Sequence, residues 1–207
     1  MEQQLPVSSA RRKAPNIMVT GTPGVGKSRL CHQISEMTGL QWLEISKIAK
    51  EFSCLEDEFD EVYQCPVLDE DKLLDGLEET MCVGGNIVDY HSCEFFPERW
   101  FDVVFVLRTD NTLLYDRLVS RGYTGKKLED NMDCEIFQTV LEEAKSSYKE
   151  EIVHELHNNN PEQLEFNAHN ICLWIQEWFD HQSPQTQGDN PVQAETGSQM
   201  ATEPQTA

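Results

Sequence analysis

The sequence predicts an α/β fold in which helices cover both faces of a parallel β-sheet. Short, wholly apolar segments such as "NIMVT" and "VVFVLR" are typical of strands buried on both sides. Segments with helical periodicity separate these strands, as connections between parallel strands require. A glycine-rich segment, "GTPGVGKS", lies directly between the first strand and the first helix. Together these features indicate a sheet in which strands and helices alternate along the chain.

The remaining elements follow in order. After "NIMVT", the segments "KSRLCHQISEM", "KLLDGLEETM" and "NTLLYDRLVS" are predicted helices, while "NIVDYH" and "VVFVLR" are predicted strands. The segment "IVHELH" is a candidate last strand. A closing helix is expected near Pro161, because proline is compatible with a first helical turn. Its apolar residues recur every three or four positions and should face the core: Leu164, Ala168, Ile171, Ile175 and Trp178.

The chain of 207 residues is long enough for one domain with a flanking tail. We assign the domain to residues 16–182 and a flexible leader to residues 1–15. Residues 183–207 are rich in Pro, Gln, Thr and Gly and contain almost no large apolar side chain. Such a segment cannot offset its own ordering entropy, so we expect a disordered tail.

The chain is strongly acidic, with 16 Lys and Arg against 37 Asp and Glu and a formal net charge of −21. A surface of this sign repels a phosphate backbone, which argues against general nucleic-acid binding. The charge favours a basic protein partner, or a small anion held at one local positive site. Solubility alone would also explain it.

The seven cysteines form no C-x-x-C pair, which argues against a zinc site or a disulfide framework. They are expected to be reduced thiols. The N-terminus lacks an apolar signal core, and no later stretch approaches the roughly 20 apolar residues of a membrane span. We therefore expect a soluble cytosolic or nuclear protein without a membrane partner.

The segment at residues 21–28 fits the pattern G-x-x-x-x-G-K-[ST] of a phosphate-binding loop (P-loop). Its glycines allow backbone N–H groups to turn inward, and the following helix adds its positive N-terminal end. Lys27 can reach the β- and γ-phosphates, and the Ser28 hydroxyl can bind Mg²⁺. The sequence therefore predicts a P-loop domain that binds the phosphates of a nucleotide.

A nucleotide site also needs a carboxylate for its metal ion. Asp89 ends the "NIVD" strand and is the natural candidate. His91 follows two residues later, on the same side if the chain stays extended. It is either a group that orients water or senses the γ-phosphate, or a structural histidine, and the spacing leaves both roles open.

Two further segments have open interpretations. "DRLVSRGYTGKKLEDN" is expected to end a helix at Arg121 and to place Lys126 and Lys127 in a short polar loop. That loop is either a lid carrying cations to the phosphates or a solvated turn. The acidic segment "CLEDEFDEVYQCPVLDEDK" is either a solvated face or a docking surface for a basic partner.

Taken with the P-loop, the motifs "IVDYH", "FFPERWFDVVFVLRTD", "RLVSRGY", "NMDCEIFQ" and "SYKEEIVHEL" resemble those of the adenylate kinase isoenzyme 6 family. The resemblance covers about residues 16–182. It implies a nucleoside monophosphate kinase-like fold with an acceptor-binding region and a short lid, acting on ATP and AMP-type acceptors and hydrolysing ATP with Mg²⁺. It also implies work in the nucleus on small ribosomal subunit maturation, through a small-subunit ribosomal protein.

The resemblance also assigns residues. It implies ATP binding by Gly24, Val25, Gly26, Lys27, Ser28, Arg29 and Arg121, and catalytic roles for Lys27, Asp89, His91 and Arg121. Ser28 and Asp89 are the implied metal ligands, and Lys50 the implied acceptor-binding residue. The acceptor region is expected at about 45–68, where Tyr63, Cys65 and Pro66 also resemble the family, and the lid at about 120–130.

The chain departs from the family pattern at several positions. Arg29 stands where a second Thr is common, and "SKIAK" at 46–50, with Lys47 and Lys50, replaces "GDLAR". Asn160 replaces a Lys near the adenine side. Two functions remain open: a nucleoside monophosphate kinase, or an ATPase-switched assembly factor that captures a basic ribosomal protein.

Overall fold

The computed structural model describes residues 12–60 and 65–182. The prediction of a disordered tail at 183–207, most of the predicted leader and Tyr63 lie outside the described residues. Within these two ranges the chain forms seven strands, β1–β7, and seven α-helices, α1–α7. In chain order they are β1 Ile17–Thr20, α1 Lys27–Thr38, β2 Gln41–Glu44, α2 Ile45–Glu51, β3 Leu55–Asp60, β4 Cys65–Leu68, α3 Glu70–Val83, β5 Asn86–Asp89, β6 Val103–Arg108, α4 Asn111–Ser120, α5 Gly125–Ile136, α6 Thr139–Ser147, β7 Val153–His157 and α7 Pro161–Gln182.

Five strands form one parallel sheet in the order β2-β5-β1-β6-β7. β1 is central, with β2 and β5 on one side and β6 and β7 on the other. The chain thus leaves β1 toward one edge of the sheet and later crosses to the other edge. Open α/β sheets bind ligands outside the carboxyl ends of the strands near such a change of direction. The P-loop begins there, directly after β1.

Helices cover both faces of the sheet, which confirms the predicted fold class. Met18 of β1 faces a core cluster that includes residues of α3 and α6. Ile17 and Val19 face the opposite cluster, which includes residues of α1, α4 and α7. This alternation is the two-residue period of a strand. Because both faces are buried, the central strands are apolar throughout.

The closing helix begins at Pro161 as expected, and the candidate last strand is β7. In α7, the predicted stripe residues at 164, 168, 171 and 175 are buried in the second cluster, whereas Trp178 is only partly buried. None of the helices in the described part of the chain is long and apolar enough to cross a membrane.

The expectation that Lys126 and Lys127 occupy a polar loop is wrong. Both lie in the first turn of α5, after a turn of only a few residues from α4. The helix forms because Leu128 and Met132, one turn apart, pack against the second core cluster. Lys126 also pairs with Asp130, one turn further along, at 2.8 Å.

The acidic segment after α2 forms an antiparallel hairpin of β3 and β4. Its register is irregular between Leu55 and Phe59. The hairpin lies apart from the five-stranded sheet, in the region expected to bind the acceptor.

Asn16 joins three parts of the fold just before β1. Its buried side-chain amide donates to the backbone oxygens of Met81 at 2.7 Å and Trp100 at 2.9 Å. Its side-chain oxygen accepts from the backbone N–H of Asn86 at 3.1 Å and from the Asn86 side chain at 2.9 Å. One carboxamide therefore satisfies buried groups of α3, β5 and the segment that leads into β6.

We predict that Asn16→Ala lowers the free energy of unfolding by about 2–4 kcal/mol, because it leaves several buried polar groups without partners. Chemical denaturation would measure the change. Asn170→Ala, an exposed position of α7, is the matched control and should change stability by less than about 0.5 kcal/mol. Equal stabilities of the two variants would contradict the prediction.

Candidate active site

The P-loop adopts a backbone path that requires glycine, most clearly at Gly26 and Gly21. Gly26 has φ of +108°, and a Cβ there would lie 2.3 Å from Nδ2 of Asn158. Gly21 has φ of +137°, and a Cβ there would lie 2.4 Å from the carbonyl oxygen of Leu107. Both the left-handed backbone and the lack of space exclude a side chain. The loop is thus fixed between β6 and the turn before α7.

Lys27 begins α1 and folds back over the loop. Its Nζ donates to the carbonyl oxygens of Gly21 at 2.6 Å and Thr22 at 3.2 Å. Burial lowers the pKa of Lys27 to about 8, although the carboxylate of Asp89 partly opposes the shift. The nearby carboxylate therefore does not fully offset the effect of burial on the ammonium, and an anion placed beside Lys27 would favour its charged form.

Asp89 ends β5 and is buried, with 4% of its surface exposed. Oδ2 accepts a hydrogen bond from Nε1 of Trp42 at 3.3 Å. Burial raises the pKa of Asp89, and a hydrogen bond from Ser28 opposes that rise. The Ser28 hydroxyl and the Asp89 carboxylate are therefore neighbours at the start of α1.

This donor set fits Mg²⁺, which takes oxygen ligands and usually binds one or two protein groups together with substrate phosphates. The described residues contain no cluster of three or more His, Cys, Asp or Glu that could hold a metal ion by itself. An ion held by Ser28, Asp89 and nucleotide phosphates is consistent with that finding.

His91 lies two residues beyond β5 and borders the cleft above the P-loop. Its ring centroid is 4.3 Å from that of Tyr90. The surrounding protein, and after it the positive charge of Lys27, lower the pKa of His91 to about 4, although the side chain is still exposed at the surface of the cleft. The imidazole is therefore neutral at physiological pH and can accept or donate a hydrogen bond.

A cleft of about 1030 Å³ lies over the P-loop. Most of the residues assigned from the sequence line it: Gly24, Gly26, Lys27, Ser28, Arg29, Asp89, His91 and Arg121. Val25 is instead buried beneath the loop, where its carbonyl accepts from Asn158. Lys50 is exposed and outside the lining, one turn beyond the lining residue Ser46 on α2.

The family of the chain follows from comparison with known proteins. A family model described as an AAA domain matches residues 17–138. The adenylate kinase isoenzyme 6 homolog of Drosophila melanogaster is 52% identical over 164 residues, which cover 79% of this chain and 93% of that protein. The homolog of Caenorhabditis elegans is 54% identical over 163 residues, which cover 78% of this chain and 89% of that protein. The chain belongs to the adenylate kinase isoenzyme 6 family.

The resemblance drawn from the sequence motifs is therefore confirmed. Among solved structures, shikimate kinase from Bacteroides thetaiotaomicron has a TM-score of 0.54 at 14% identity, covering 78% of this chain and 98% of that one. At this level of identity the similarity shows a shared fold.

Arg117 of α4, which was not predicted from the sequence, lies four residues before Arg121. Nη2 of Arg117 donates to the carbonyl oxygens of Asn159 at 2.9 Å and Asn158 at 3.3 Å. Nη1 lies 3.4 Å from the carbonyl oxygen of Gly24. Arg117 thus ties α4 to the P-loop and to the turn before α7, and all three border the cleft. The four-residue spacing of the two arginines was the available signal.

Glu135, near the end of α5, was also not predicted from the sequence. This buried carboxylate accepts from Oγ1 of Thr22 at 2.7 Å, from Nε of Arg108 at 2.7 Å and from the backbone N–H of Thr109 at 3.1 Å. It joins the P-loop to the carboxyl end of β6. Since α5 also carries the cleft residue Lys127, Glu135 anchors the helix of the expected lid to the phosphate loop.

We predict that Glu135→Ala lowers the free energy of unfolding by about 3 kcal/mol, because it leaves the mostly buried guanidinium of Arg108 without its nearest carboxylate. Glu135→Gln should cost only about 1 kcal/mol. Its side-chain oxygen can still accept from Arg108 and Thr109, and the Thr22 hydroxyl can turn to accept from the new amide.

Chemical denaturation of both variants would test this prediction. The control is Glu129→Ala, an exposed position on the same helix, which should leave stability nearly unchanged. If the alanine and glutamine variants at 135 were equally stable, the hydrogen-bond network would not carry the effect.

Proposed function

We propose that the protein is an ATP-dependent nucleoside monophosphate kinase that transfers the γ-phosphoryl group of ATP to an AMP-type acceptor and also hydrolyses ATP. The observation that carries this proposal is the convergence of Lys27, Ser28, Asp89 and Arg121 around one cleft. The P-loop and the start of α1 supply backbone N–H groups for the phosphates. Family membership and the names of the relatives support the same activity.

Each cation has a distinct role in this proposal. Lys27 neutralises charge on the β- and γ-phosphates, a role suited to an ammonium whose own burial leaves it short of counter-charge. Arg121 follows the end of α4, borders the same cleft and stabilises the charge that develops during transfer. Arg29, in the first turn of α1, adds a further positive charge at the nucleotide. Ser28 and Asp89 would hold Mg²⁺, which offsets phosphate charge when bound.

His91 is proposed to orient the attacking water or the transferred phosphoryl group. Its position beside Asp89 and its neutral state support this role. A neutral imidazole can hydrogen-bond a water molecule without adding a charge that competes with Lys27.

The acceptor is proposed to bind at the end of the cleft bordered by Glu44 and Ser46. Glu44 ends β2 in register with Asp89. The ammonium of Lys47 forms an ion pair with the Glu44 carboxylate at 2.8 Å. Lys50 lies one helical turn beyond Ser46 on the same helix, and this position supports its assignment to the acceptor.

We further propose that the protein assists small ribosomal subunit maturation, in the nucleus and the cytoplasm, by binding a basic small-subunit ribosomal protein. The net charge of −21 supports a basic partner. In the alternative function, ATP binding and slow hydrolysis control the binding of the ribosomal protein, and the protein has little kinase activity. The altered acceptor segment at 46–50 favours that alternative.

Product analysis tests the proposal and separates the two functions. ATP would be supplied alone, with AMP, and with a basic small-subunit ribosomal protein. AMP-dependent formation of ADP would support the kinase, whereas stimulation by the ribosomal protein alone would support the switch. The Lys27→Ala variant should lose both activities. If it kept wild-type turnover, the P-loop would not be the site.

We predict that His91→Ala keeps ATP affinity within about twofold but lowers the rate of hydrolysis on the order of 100-fold, the scale of a lost proton-transfer or water-orienting group. Nucleotide titration and steady-state kinetics would measure the two quantities. Wild-type hydrolysis by the variant would leave His91 with a structural role.

For Asp89→Asn we predict a higher Mg²⁺ concentration at half-maximal activity, because the neutral amide is a weaker ligand for a hard cation than the carboxylate. Magnesium titration of the ATPase rate would measure the change. A titration curve identical to that of the wild type would show that Asp89 does not hold the ion.

We predict that Lys50→Arg improves AMP affinity by about 1 kcal/mol, because a guanidinium grips phosphate with two parallel hydrogen bonds and an ammonium does not. AMP-dependent steady-state kinetics would measure the change. The control is Lys145→Arg, an exposed position of α6 outside the cleft lining, which should leave AMP affinity unaltered. An unchanged apparent AMP affinity in Lys50→Arg would show that Lys50 does not face the acceptor phosphate.

A further inference from the structure

Trp42 of β2 contacts the carboxylate that is proposed to bind the metal ion. β2 pairs with β5 in parallel, and Trp42 lies in register with Ile87, two residues before Asp89. From there the indole Nε1–H reaches Oδ2 of Asp89 at 3.3 Å. The strand pairing therefore places an indole donor beside the candidate metal ligand.

This hydrogen bond restricts the Asp89 side chain. A carboxylate at the end of a strand can rotate about its Cβ–Cγ bond, and a donor bound to one oxygen selects one rotation. Ser28, which lowers the pKa of Asp89, is itself a proposed metal ligand. Trp42, unlike Ser28, is a neighbour of Asp89 that has no proposed contact with the metal ion.

The surroundings of Trp42 hold its ring in place. The His32 ring meets it edge-on, with centroids 5.8 Å apart. The ammonium of Lys47, a residue of α2, lies 5.6 Å from the ring centroid. The indole also packs against the second core cluster. An indole fixed by several neighbours can in turn fix the carboxylate that it contacts.

We propose that Trp42 is a positioning residue for the metal site, in which its indole N–H holds the Asp89 carboxylate in the orientation that faces Ser28 and the P-loop. Partners that orient metal ligands in this way commonly change metal affinity about 10–100-fold when removed. The proposal rests on the metal-binding role of Asp89 within the proposed function.

The test is the Trp42→Phe variant, which keeps an aromatic ring but lacks the N–H donor. Mn²⁺ would serve as a spectroscopic probe, titrated into the protein–ATP complex and followed by electron paramagnetic resonance. We expect about tenfold weaker Mn²⁺ binding, with metal-free ATP affinity within about twofold of wild type. The matched control is Trp174→Phe, a partly buried tryptophan outside the cleft that packs against Phe105, and it should bind Mn²⁺ as wild type does.

A second substitution separates the hydrogen bond from packing. Site-specific 3-benzothienylalanine at position 42 keeps the shape of tryptophan but carries sulfur in place of the N–H. Weakened Mn²⁺ binding by this protein would support the proposal even if Trp42→Phe were unstable. Wild-type Mn²⁺ binding would overturn it and would leave Trp42 with a packing role.

A double-mutant cycle with Asp89→Asn distinguishes the positioning role of Trp42 from the metal-binding role of Asp89. If Trp42 acts through Asp89, the Trp42→Phe change should have little further effect on Mn²⁺ binding in the Asp89→Asn protein. Full additivity would overturn the positioning role. Unchanged Mn²⁺ binding by Asp89→Asn alone would instead contradict the metal role of Asp89, and with it this part of the proposed function.

Discussion

Close contact between the P-loop and its neighbouring segments is the constraint on which the rest of the site depends. The loop has no room for a Cβ at Gly21, which faces the backbone of Leu107, or at Gly26, which faces Asn158. Lys27 closes the loop from within by donating to carbonyls of the loop itself. The phosphate-binding shape is therefore set by the packing of β1, β6 and the turn before α7.

Electrostatics explain how so acidic a chain can hold a polyphosphate. Lys27, Arg29, Arg117 and Arg121 all border one cleft, whereas the chain as a whole carries −21. Glu44, Asp89 and Asp130 also border this cleft, but its cations outnumber them, and charges elsewhere on the surface are screened over about 8 Å at physiological ionic strength. Burial lowers the pKa of Lys27 to about 8, so an anion bound beside it would favour its charged form.

Buried polar contacts join elements that are far apart in sequence. Glu135 connects α5 to the P-loop and to β6, and Asn16 connects the start of β1 to α3 and β5. Trp42 makes a similar link between β2 and Asp89. Such contacts have specific geometry, because a buried donor or acceptor without a partner is costly. The contacts of Glu135 and Trp42 fix segments that border the cleft, whereas those of Asn16 fix the opposite end of the sheet.

The sequence by itself determined the alternating strands and helices, the P-loop, and Asp89 at the end of a strand, because each depends on a local pattern or a fixed spacing. It did not reveal the helix that carries Lys127. That helix is stabilised by the packing of Leu128 and Met132 against the second core cluster, which is a tertiary contact. Nor did it reveal Glu135, whose partners lie far away along the chain. Tertiary structure decided these features because hydrogen bonds between distant segments leave no periodic signal in the sequence, and one apolar pair four residues apart is too short a pattern to predict a helix by itself.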